Sequence, residues 1–230
     1  MTAPAKRAYD RVWEAFQTAA TTVDGRHDTD VWRSHGGPFA LCVVRVPAEI
    51  LQPGLDALRA RLSPLAGIRL HPDHFLHITL QEIGFISDPP EQPDEISTAR
   101  LEEFAYAAAD ALAILAPCTI ELGGANSFQD AVFLDVANPR PVADIHERLF
   151  DLAASPRIPT FAYLPHCTIA HYDGTTPVTA AAAAIAPWRA QPFGVFEATE
   201  IEIVTVDPRE PYPLLENYAA IPLGALRATS

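Results

Sequence analysis

Residues 72–85 read Pro-Asp-His-Phe-Leu-His-Ile-Thr-Leu-Gln-Glu-Ile-Gly-Phe, and residues 161–172 read Phe-Ala-Tyr-Leu-Pro-His-Cys-Thr-Ile-Ala-His-Tyr. Each stretch contains His, apolar, Thr, apolar: His77 to Leu80, and His166 to Ile169, 89 positions apart. Both sit among β-forming residues. Successive side chains of a strand point to opposite faces. His77 and Thr79 therefore share one face, with Ile78 and Leu80 on the other. His166 and Thr168 repeat the arrangement, with Cys167 and Ile169 turned inward. Two imidazoles and two hydroxyls can then meet across one cleft, each pair backed by core.

Outward from these strands, the chain alternates helices and strands on a repeating plan. Residues 5–21 have helical spacing at Val12 and Phe16, and the polar 24–37 loop follows, with Trp32 and His35 as candidate cleft residues. A strand is expected at 39–46, a helix at 49–62, and strands at 67–70 and 75–83. After the proline-rich 87–95 comes a helix at 97–115, capped by Ser97 or Thr98. Strands at 118–122 and 131–136, a helix at 139–154 and the second histidine strand at 166–172 complete the repeat. A helix at 177–188, one long strand at 193–206 and an edge strand at 218–223 end the chain. This order predicts two similar α+β lobes rather than a long doubly wound sheet. The expected organisation is an N-terminal helix and loop extension, 1–37, then a single two-lobed domain, 38–230.

Composition narrows the function. The chain has 230 residues, 49% hydrophobic and 20% charged, which supports a substantial core. Net charge is −13, ill suited to long duplex nucleic acid, which is held by neutralising many phosphates. A small nucleotide or an RNA end fits better. Lys6 is the only lysine, so there is no phosphate-loop lysine and no GxxxxGK[ST]. No apolar run reaches membrane-spanning length, and no secretory leader is recognisable. Cys42, Cys118 and Cys167 are an odd set in apolar segments, which suggests buried, reduced thiols. A cytoplasmic monomer without membrane association is expected.

The paired phrases resemble the two-histidine phosphoesterase superfamily, in particular its bacterial 2'-5' RNA ligase-like branch. HITLQEIGF is similar to the first motif, including Gly84, and PHCTIAHY to the second. Between them GGANSFQDAVFLDV, residues 123–136, matches the family's Gly, Phe and apolar strand. The resemblance spans roughly residues 38–206. It implies an α+β fold of two pseudo-symmetric lobes, each an antiparallel or mixed sheet with outer helices, and an active-site cleft between them. By motif position it implies catalysis by His77 and His166, with Thr79 and Thr168 binding phosphate. One position departs: the branch often carries arginine five residues after the second histidine, and this chain has His171. That weakens the expectation of ligation.

The chemistry of these residue types points the same way. Opening a 2',3'-cyclic phosphate needs a base to activate water and an acid to protonate the departing ribose oxygen, and imidazole serves either role near neutral pH. Threonine hydroxyls can donate to the non-bridging oxygens as charge gathers there. No metal or cofactor is required. The expected activity is hydrolysis of a 2',3'-cyclic phosphate or 2'-5' phosphodiester of a nucleotide or RNA end. The alternatives are 2'-5' RNA ligation, 3'-5' cyclic (oligo)nucleotide hydrolysis, or binding of RNA or a nucleotide without turnover. His71, His74 and His77 do not form a metal set, since residues three apart on a strand face opposite ways. Cys167 lies on the face opposite His166, against a Cys–His nucleophile. Tyr163, with Phe39, Phe75 and Phe161, are candidates to stack on a base. His171 is a further candidate contact, and Arg45, Arg69 and Arg157 are candidate phosphate partners.

Overall fold

The computed structural model describes residues 3–26, 29–153 and 162–224; Arg157 and Phe161 lie outside them. Helix α1 (Ala3–Thr18) is followed by the short α2 (Asp30–Arg33), strand β1 (Phe39–Arg45), helix α3 (Gly54–Leu62), β2 (Ile68–Leu70) and β3 (His77–Ile86). Next come β4 (Glu95–Ile96), α4 (Thr98–Leu112), β5 (Cys118–Ser127), β6 (Ala131–Val136), α5 (Arg140–Ala153) and β7 (His166–Tyr172). Helix α6 (Val178–Ile185), β8 (Gly194–Ala198), β9 (Glu200–Val206) and β10 (Glu216–Pro222) complete the described residues. Pro53 splits the helix expected over 49–62 into a 3₁₀ turn at 48–51 and α3, because proline removes an N–H and clashes with the preceding turn. Ser97 caps α4 by accepting the Arg100 N–H. No described helix is long and apolar enough to cross a membrane.

The described strands form one ten-stranded sheet in the order β10-β9-β1-β3-β7-β6-β5-β8, with β2 on β7 and β4 on β3. The two expected halves are visible in that order. In one, β3 is flanked by β1, β9 and β10; in the other, β7 is flanked by β6, β5 and β8. They join where β3 and β7 run antiparallel and pair at a single point, Ile78 opposite Cys167. On either side of that point the strands separate. Strand β2 takes the free edge of β7 at 170–172, and β4 takes the free edge of β3 at 85–86.

The expected long strand 193–206 is two strands. β8 pairs with β5 at one end of the sheet, and β9 pairs with β1 and β10 near the other. Only Thr199 lies between them. Consecutive Cα atoms are about 3.8 Å apart, so the sheet must curl until its two ends approach.

Alternation sorts the strand residues between two apolar clusters. Ala40, Cys42, Val44, Ile78, Leu80, Cys167 and Ile169 face the helix side and join the main core. Phe39, Leu41, Val43, Phe75, Phe85, Val204, Val206 and Leu215 form a second cluster on the other face, covered by Trp32 and Tyr212. Both faces of β1 are thus buried, which is why its sequence is apolar almost throughout. His35 holds the α2 segment down. Its ring stacks on Phe85 with centroids 3.6 Å apart, and its nitrogens lie 3.3 Å from Glu95 and 3.4 Å from Asp94.

Candidate active site

The single β3–β7 pair fixes the site. With Ile78 opposite Cys167, continuing the antiparallel register sets His77 beside Thr168 and Thr79 beside His166. The two histidines are then diagonal neighbours, a relation that in a regular ladder separates residues by roughly 7–8 Å, with Cβ atoms somewhat closer, and lets long side chains meet. All four side chains are half-buried, whereas Ile78 and Cys167 are fully buried behind them. Burial pushes the Cys167 thiol up to about 12, so it is no nucleophile near neutral pH.

Each histidine is oriented by its own strand entry. His77 Nδ1 lies 2.7 Å from the Phe75 carbonyl, and His166 Nδ1 lies 2.7 Å from the Leu164 carbonyl. A carbonyl can only accept, so Nδ1 carries the proton in both rings, and in the neutral form Nε2 is the unprotonated nitrogen. The aromatic packing is matched too. Phe75 stands edge-on to His77 at 5.2 Å, and Phe133 and Phe128 stand 5.1 and 5.2 Å from His166. Burial holds His166 below the ordinary histidine pKa; its bond to the Leu164 carbonyl and the charge of Asp130 oppose this without overcoming it.

Beyond the threonines both strands bulge at equivalent residues. The β1–β3 register skips Leu80, and the β6–β7 register skips Ile169. An extra residue reverses which face the later side chains occupy. Leu80 and Ile169 stay on the core side, and Glu82 and His171 turn toward the site. These two occupy equivalent positions, five residues after each histidine, with different chemistry. His171 Nδ1 is 3.0 Å from His71 Nε2, and both rings are buried. His71 packs against Phe75 and Tyr212. Glu82 keeps access to solvent, yet the surrounding walls raise its carboxyl above the usual range.

The other candidates divide. Phe39 and Phe75 line a cavity that opens beside His77 and Thr79. Tyr163 does not offer a stacking platform. Its ring already stacks on His146 at 3.8 Å on the core side, and its hydroxyl donates to the Thr79 carbonyl at 2.8 Å. It buttresses the first motif instead of facing the cleft. Arg45, cross-strand from His77, donates to Glu202 at 2.7 Å and to the Leu215 carbonyl at 2.6 Å. Asp135 takes the equivalent place beside His166 and is met by Asn126 at 2.9 Å and Arg189 at 3.3 Å. Arg69 is cross-strand from His171 and lies over the Tyr212 ring at 5.6 Å. His71, His74 and His77 diverge: His71 turns to His171, His74 is exposed near the Tyr212 carbonyl, and His77 faces the cleft. Among the described residues no three His, Cys, Asp or Glu side chains gather around a common point.

Trp32, a candidate cleft residue from sequence, lines the cavity's outer wall, and the part not visible from sequence is the 206–215 segment beside it. Trp32 of α2 and the 206–215 segment come from opposite ends of the chain to stand against β1 and β3. Trp32 is held by Phe39 at 4.7 Å and by Phe85 at 5.2 Å.

A family profile described as the 2'-5' RNA ligase superfamily matches residues 46–210. Solved structures share the fold. The Thermus thermophilus protein TT0787 aligns with a TM-score of 0.59 and 19% identity, covering 81% of this chain and 98% of that one. Escherichia coli LigT complexed with 3'-AMP aligns with a TM-score of 0.62 and 19% identity, over 81% and 98% of the two chains. A structure described as a phosphoesterase gives a TM-score of 0.58 at 17% identity, over 81% and 98%. No curated protein matches the chain by sequence.

Proposed function

The chain belongs to the 2'-5' RNA ligase superfamily, and on that footing we propose that it is a metal-independent phosphodiesterase acting on a 2',3'-cyclic phosphate or 2'-5' linkage of a nucleotide or RNA end. The observation that carries the reading is the matched pair of strands, adjacent at Ile78 and Cys167, each carrying His and Thr on the face away from the main core with Nδ1 bonded to a backbone carbonyl. A phosphate between diagonal imidazoles meets one Nε2 on the side of the attacking water and the other on the side of the leaving ribose oxygen. His166, whose burial favours the neutral ring, takes the proton from water. His77 protonates the ribose oxygen, and the roles exchange in the reverse reaction. Thr79 and Thr168 donate to the non-bridging oxygens, where charge develops. That a protein of the same fold is seen with 3'-AMP supports a mononucleotide-sized occupant. The net charge of −13 favours a small substrate over a long polymer.

The test is product analysis after incubation with 2',3'-cyclic nucleotides and 2'-5'-linked dinucleotides in excess EDTA. Hydrolysis to one monophosphate isomer is expected, undiminished by the chelator. Activity that EDTA abolishes and zinc restores would overturn the mechanism, and nucleotide binding without turnover would leave only a binding module.

A further inference from the structure

We propose that the cavity beside His77 is a base-recognition subsite that selects nucleotides whose base carries an amino group, with Glu82 as the selecting residue. The inference rests on the phosphodiesterase reading for where the phosphate lies. His77 and Thr79 form one wall of the cavity, so a nucleotide with its phosphate at those residues extends its sugar and base inward. The cavity is a shallow one, open to solvent at its mouth, so a base would lie against its walls with one edge exposed. Trp32, Phe39, Phe75 and Leu215 give it apolar and aromatic walls, suited to the faces of a planar base.

Its polar character is one-sided. The charged lining residues are Glu82, Asp207 and Glu210, with no lysine or arginine among them. The Arg209 guanidinium matches Asp207, with two contacts of 2.8 Å. Glu82 stands on the same strand face as His77 and Thr79, beyond the bulge at Leu80. A carboxylate accepts from the amino groups of adenine, cytosine and guanine. Uracil instead has two carbonyl oxygens flanking its one N–H, and these meet a carboxylate unfavourably. The same carboxylates disfavour a second phosphate inside the cavity. The equivalent position on the other strand is His171, joined to His71 with Arg69 beside it. The phosphate therefore has an acidic flank and a basic flank, and the base belongs on the acidic one.

The experiment is calorimetric titration of wild type and Glu82→Gln with nucleoside 3'-monophosphates. Wild type should bind 3'-AMP, 3'-CMP and 3'-GMP about tenfold or more tightly than 3'-UMP. Glu82→Gln should bring the four within about twofold, since an amide both donates and accepts. Glu82→Ala, read the same way, should also lose the preference. Equal binding of all four by wild type, a preference that survives both substitutions, or no binding of any would overturn the proposal. Cyclic-nucleotide turnover, measured separately, keeps the two readings apart. Selective binding without turnover leaves the subsite standing and removes the phosphodiesterase. Turnover with no base preference does the reverse.

Discussion

His77 and His166 are alike in orientation and unlike in surroundings. Each donates Nδ1–H to a carbonyl two residues back, which follows from a chain that enters its strand at the histidine. Their common face is legible from sequence because strand alternation has a period of two. The face occupied by Glu82 and His171 is not legible, because it depends on bulges at Leu80 and Ile169 that no residue type announces. Tyr163 shows the opposite case. Its nearness to His166 in sequence suggests a cleft residue, but it precedes the strand and turns back to the Thr79 carbonyl. The depressed pKa of His166 can be measured directly. Its imidazole NMR titration should have a midpoint below the ordinary value of about 6.5, and a midpoint at or above that value would contradict the base assignment. Folding disfavours protonated His166, so its contribution to stability is complete above the ordinary histidine pKa and is lost as pH falls below it.

Among the elements, β3 and β7 decide the site by how little they pair. One bridging pair joins the halves, and the strands then open enough for β2 and β4 to occupy their free edges. Gly84 makes the β4 contact possible. Its φ is +142°, and a Cβ there would meet the Asp94 carbonyl oxygen at 2.7 Å. Gly84→Ala should therefore destabilise the fold by about 1–3 kcal/mol, read as a lowered midpoint in urea. An unchanged midpoint would mean that β4 does not hold this edge as described. Most elements are legible from periodicity and caps. The 193–206 stretch reads as one strand because its apolar alternation runs on past Thr199, while the pairing partners change there from β5 to β1 and β10. Periodicity reports which face is buried, not which neighbour buries it.

At the scale of the whole molecule, the repeated phrase in the sequence becomes an approximate two-fold relation in the sheet. β1, β9 and β10 flank β3 as β6, β5 and β8 flank β7. The relation is kept at the paired His and Thr positions of β3 and β7. It is broken at Arg45 and Asp135, and again at Glu82 and His171. The core follows the symmetry, and the cavity walls, built from α2 and the 206–215 segment, do not. Two-fold sharing of one reaction is the central claim, and a double-mutant cycle tests it most directly. The values to compare are kcat/KM for a 2',3'-cyclic nucleotide in wild type, His77→Ala, His166→Ala and the double variant, each with circular dichroism confirming the fold. Each single substitution should lower the rate by about 10²–10⁴-fold, and the double variant should lose little more than either single, because acid and base act in one step. Losses that multiply in the double variant, or a single variant that retains activity, would show that the two histidines do not serve one phosphate.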